Sequence, residues 1–121
     1  MAGGPLDGHA LVLAAARASV PAERLPDLVD RLQAALVDRR HDYARQYECA
    51  HEDAMHSVFF VERGHFEEVG DEFGFERREW EALRRAHAAH LKRLGDELDR
   101  RAEFETALEV REAVAIGKHR G

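Results

Sequence analysis

Between Leu25 and Tyr47 the apolar side chains recur at helical spacing. Leu25, Leu28, Val29, Leu32, Leu36, Tyr43 and Tyr47 all fall on one side of a wheel of about 3.6 residues per turn. A stripe sustained over about six turns commits the segment to a helix with one buried face, and that face needs another element to cover it. Pro26 suits the first helical turn, where a missing N–H costs nothing. The spacing predicts one long helix from Pro26 to about Glu48.

The remaining segments read mostly as further helices. Asp7 is a good N-cap for a first helix reaching Ser19, apolar almost all round from Ala10 to Ala16, which Val20 and Pro21 then stop. The helical pattern breaks in Cys49–His56, read as a loop. Ser57-Val-Phe-Phe-Val61 has strand character, but no second run is present to pair with it, so an extended connector packed on helices fits equally. His65–Phe73 reads as a short helix. Arg77–Leu94 reads as a firm one, with Gly95 in the usual C-terminal position. A last helix is expected from Asp99 to Ile116, burying Phe104, Leu108, Val114 and Ala115, with Gly117 closing it and the final residues fraying. The expected fold is all-α: a compact bundle of about five helices with at most one short strand, a single domain over residues 1–121. Leu28, Leu32, Leu36, Trp80, Leu83 and Leu108 are its expected core.

A chain of 121 residues with 45% hydrophobic and 35% charged residues can build such a core without disulfides. Its lone Cys49 points to a reduced cytoplasm. No run is long and apolar enough to span a membrane, and the N-terminus lacks the basic region of a signal peptide. The net charge of −6 does not advertise a nucleic-acid ligand. Of the eighteen basic residues only Lys92 and Lys118 are lysines. A GC-rich genome and a salt-adapted, halophilic cytoplasm each account for that bias.

Two groups of histidines are candidates for chemistry. Cys49, His51 and His56, with His65 beyond, carry the ligand types that zinc prefers. His51 and His56 are five apart, however, and would point about 140° away from each other on a helix. This is not the HExxH arrangement, so a metal requires convergence from a loop, and no metal or other cofactor is expected. His87 and His90 sit inside the apolar stripe of the Arg77–Leu94 helix, with Trp80, Leu83, Leu91 and Leu94. Satisfied core groups or an interface are the expected roles there. Ser19, Ser57 and Thr106 are scattered outside any nucleophile motif, so no enzymatic activity is expected.

The segment Glu67–Leu83, EEVGDEFGFERREWEAL, has a different kind of order. Gly74 takes the turn position, Gly70 is the small residue four before it, and Phe73 and Phe75 flank it. Val69, Trp80 and Leu83 take core positions. Two helices crossing steeply need a small residue at closest approach and a turn residue free of steric cost. In this window the chain resembles the helix-turn-helix superfamily. Its Arg-for-Lys bias and size also resemble small helical proteins of haloarchaea, a likeness that carries no function. The helix-turn-helix resemblance implies a DNA-binding transcriptional regulator contacting duplex DNA through Arg77, Arg78, Arg85 and Lys92, the last three recurring every seventh residue. The other class is a protein-interaction or self-assembling, homo-oligomeric domain that uses the same bend as scaffold. Glu67–Glu76 carries five acids and no base, and Arg77–Arg101 holds eight basic and five acidic residues, so surface charge discriminates the two.

Overall fold

Helix α1 (Leu25–Leu36) carries the leading part of the long stripe, and Leu25, Leu28, Val29, Leu32 and Leu36 are all buried. The computed structural model describes residues 20–118, so the expected helix from Asp7 to Ser19 lies outside the described residues. The stripe does not continue as one helix. A 3-10 turn (Val37–Arg39) intervenes, Arg39 leaves helical geometry, and α2 (Arg40–Gln46) starts on a new axis. Six residues separate Leu36 from Tyr43 in the stripe, so little apolar burial holds the two halves in line. The break lets Tyr43 pack on Phe59 at 5.9 Å between ring centroids.

The all-α expectation, with at most one short strand, is overturned by a three-stranded antiparallel sheet in the order β1-β2-β3. Its strands are β1 (Glu48–Glu52), β2 (His56–Glu62) and β3 (Arg111–Gly117). Two segments account for the error. The irregular Cys49–His56 stretch contains a strand and a tight turn, in which the Asp53 carboxylate accepts the N–H groups of Met55 and His56. The other is β3, expected as the end of a helix reaching Ile116. Ala113-Val-Ala-Ile116 is a continuous apolar run, which periodicity cannot assign to helix or strand. Pairing decides it: β3 lies alongside β2 from His56↔Gly117 to Glu62↔Arg111.

Strand β2 is central. His56, Val58 and Phe60 occupy one face and Ser57, Phe59 and Val61 the other, and all six are buried. A strand covered on both faces reads as an unbroken apolar run, as in Ser57–Val61. The outer edge of β3 is closed by side chains. Gln33 of α1 donates from Nε2 to the Ala115 carbonyl at 2.7 Å and accepts the Gly117 N–H at 2.8 Å.

Three helices fall between β2 and β3: α3 (His65–Phe73), α4 (Arg77–Leu98) and α5 (Arg101–Leu108). The backbone N–H groups at the start of α3 are held by Glu112, whose carboxylate accepts from Gly64 and Phe66, both at 3.0 Å. α4 runs through Gly95 to Leu98. Gly95 serves the packing of α5, because a Cβ there would lie 2.9 Å from the Arg101 Cα. Leu28, Leu32, Leu36 and Leu83 are core residues as expected, whereas Trp80 and Leu108 are half-buried against that core.

The bend between α3 and α4 has the steric form expected of it. Gly74 is left-handed, with φ 78°, and the N–H of Phe75 returns to the Gly70 carbonyl at 2.8 Å. A Cβ at Gly70 would stand 2.4 Å from Trp80 Cδ1 and 2.9 Å from Cγ, atoms at the rigid root of the ring. Gly70→Ala is therefore expected to cost about 1–3 kcal/mol. Adding Trp80→Leu should recover part of that loss in urea unfolding. A cost that Trp80→Leu leaves unchanged would show that the glycine is needed for another reason.

Candidate functional site

The four candidate nucleic-acid contacts share one side of α4 but not one level of exposure. The Arg77 side chain is 83% exposed, with Nε 3.2 Å from Glu81. Arg78 is 67% exposed, with Nε 3.6 Å from Glu76. Arg85 and Lys92 are half-buried, and Nε of Arg85 is buried with no hydrogen-bond partner among the described residues. Beside this helix, α3 turns Glu67, Glu68, Asp71 and Glu72 to solvent, and Arg39 pairs with Glu72. Glu79, in the first turn of α4, is buried and accepts from Arg24 Nη2 at 2.6 Å, tying the segment before α1 to the bend. Burial alone would raise the Glu79 carboxyl, but the Arg24 hydrogen bond, the Glu76 N–H and the charges of Arg24 and Arg31 together outweigh it and hold the pKa below the usual carboxylate range.

The Cys49/His51/His56/His65 group does not assemble as a unit. Cys49 is exposed on β1 and its thiol lies 3.5 Å from the His51 carbonyl. His65 is buried, its Nε2 bonded to the Tyr43 hydroxyl at 2.6 Å, and burial lowers its pKa. His51 and His56 do come together, on Asp53. The carboxylate lies 3.0 Å from His51 Nε2 and 3.1 Å from His56 Nδ1. Burial opposes ionisation of Asp53, but the His56 and Met55 N–H groups and the His51 ring hold its carboxyl well below the usual range.

From Asp53 the chain of contacts enters the core. With Nδ1–H of His56 donated to Asp53, its Nε2 is free to accept, and His90 Nε2 lies 3.0 Å away. One turn earlier on α4, His87 is fully buried and its Nδ1 accepts the Ala115 N–H at 2.9 Å. That bond puts the neutral imidazole's proton on Nε2, which is buried with no partner among the described residues. His87 with this tautomer has no lone pair to offer a metal, and among the described residues no group of three or more His, Cys, Asp or Glu side chains is arranged to hold an ion. Both α4 histidines sit in the core, as their place in the apolar stripe implies. Asp53 is the residue that the sequence reading passed over. Its position before Met55 and His56, in turn-forming context, was the available signal.

Among the described residues Ser57 is buried on β2, Thr106 is exposed on α5, and Ser19 lies outside them. No helix of the described residues is long and apolar enough to cross a membrane. No curated protein and no solved structure matches the chain. A family model does match, over residues 4–118. The chain belongs to the family described as Domain of unknown function (DUF8048).

Proposed function

We propose that this chain is a non-enzymatic binding module whose ligand is a protein surface rather than duplex DNA. The distribution of charge around the bend carries that reading. The exposed side of α3 offers four carboxylates and no base, and Arg77 and Arg78 at the start of α4 face Glu81 and Glu76. A phosphate backbone approaching the bend would meet acids on α3 as well as bases on α4, and phosphate attraction supplies most non-specific affinity for DNA. A protein surface accepts such a mosaic, because both signs find complements on it.

The DNA-binding reading retains one favourable observation. The bend is built around Gly70, Gly74 and Trp80, and it leaves Arg77 and Arg78 at the start of α4 exposed. Fluorescence anisotropy with a random-sequence duplex at low ionic strength separates the two. The expected result is no binding at micromolar protein. Binding that weakens with salt, and whose log–log slope falls by about one unit in Arg78→Ala, would instead support the regulator and end the protein-binding reading.

A further inference from the structure

We propose that the surface of α3 and α4 docks a second copy of this chain, the acidic side of α3 in one copy lying against the basic side of α4 in the other. The proposal rests on the protein-binding reading above and names its partner.

Glu67, Glu68 and Asp71 lie within about 100° of arc on α3, and Arg78, Arg85 and Lys92 within about 40° on α4. All three acids are exposed, and among the described residues none of them is in an ion pair. Arg85 and Lys92 likewise have no carboxylate within ion-pair distance among those residues, and Arg78 reaches Glu76 only at 3.6 Å. Elsewhere several charges do pair internally, as in Arg24–Glu79, Arg101–Asp96 and Arg111–Glu48. The two helices that meet at the bend thus carry an acidic row and a basic row with little internal pairing.

Such a surface is complementary to itself. A two-fold axis makes the same patch face its own copy in reverse, so each acidic row meets a basic row, and this happens twice. A surface of one sign would repel its copy. Attraction of this kind is screened by salt, with a Debye length of about 10 Å at 0.1 M.

Sedimentation equilibrium of the full chain tests the proposal. At low salt the chain should dimerise in a concentration-dependent manner, and high salt should dissociate the dimer. An acid-reversed variant, Glu67→Lys/Glu68→Lys/Asp71→Lys, and a base-reversed variant, Arg78→Glu/Lys92→Glu, should each dimerise at least about tenfold more weakly alone. Arg85 is left unchanged in the second variant because its Nε is buried. Circular dichroism should show both variants folded. Mixed in equal amounts they should form a heterodimer, because one then carries two basic rows and the other two acidic rows. A chain monomeric at every concentration at low salt overturns the proposal, as does a dimer that both reversals leave intact or a mixture that stays monomeric. A monomer that also ignores duplex DNA leaves protein binding in place with another partner. A monomer that binds duplex ends both readings.

Discussion

Titrated from neutral pH to pH 3, the folded chain is expected to lose on the order of 4 kcal/mol of stability through His87 alone. The ring is 0% exposed, and burial pushes its pKa down to about 3 from the ordinary value of 6.5. His90 and His56 nearby act in the same direction. Protonating Nδ1 would also remove the acceptor of the Ala115 N–H and place two donors head-on. In the unfolded chain the imidazole takes its proton near pH 6.5, so the unfolded state binds more protons between that pH and 3. The contribution is therefore complete above about pH 6.5 and is lost progressively as pH falls. Asp53 adds to the loss at the acid end, because its depressed pKa gives stability that is present above the usual carboxylate range and vanishes below it. Urea unfolding at a series of pH values measures the slope. His87→Asn keeps an acceptor near the Nδ1 position without the titration, so its stability should depend less on pH. A slope unchanged in that variant would remove His87 as the cause.

Phe104→Ala is expected to cost about 3–5 kcal/mol. α5 has eight residues, and a helix that short is marginal in water without tertiary contacts. Phe104 is its one buried side chain, packed against Gly95, 6.2 Å from the Phe60 ring and under the Arg100 guanidinium at 4.5 Å. Leu108 and Ala107 only partly reach the core. Removing the ring should cost stability in urea unfolding and release hydrogen-exchange protection across Arg101–Leu108 ahead of the sheet. Phe104→Leu should restore most of both. A loss under about 1 kcal/mol, with α5 still protected, would mean that the helix is held by its surface ion pairs, such as Arg101–Glu105.

Local periodicity alone was enough for much of the helical part of this protein. The buried set of α1 follows from its spacing, as do the bounds of α3 and the placing of His87 and His90 in the core. Helix geometry depends on residues three and four apart, so a short window contains the information. The steric form of the bend was legible for the same reason, since Gly70, Gly74 and Trp80 lie within eleven residues of one another.

What only the tertiary structure decided depends on partners far away in the chain. Ala113–Ile116 has no period of its own and becomes a strand because Phe60–Ser57 lies alongside it, more than fifty residues earlier. Glu48–Glu52 is a strand because β2 pairs with it, although its sequence reads as loop and its ladder slips between Cys49 and His51. The histidines were sorted in the same way. Asp53 draws in His51 and His56 locally, but only folding brings His90 to His56 from 34 residues away and sends His65 to Tyr43. A helix face is decided by its near neighbours in the chain. A strand or a buried imidazole takes its role from whatever satisfies its backbone and ring nitrogens, and those groups arrive only when the chain has closed on itself.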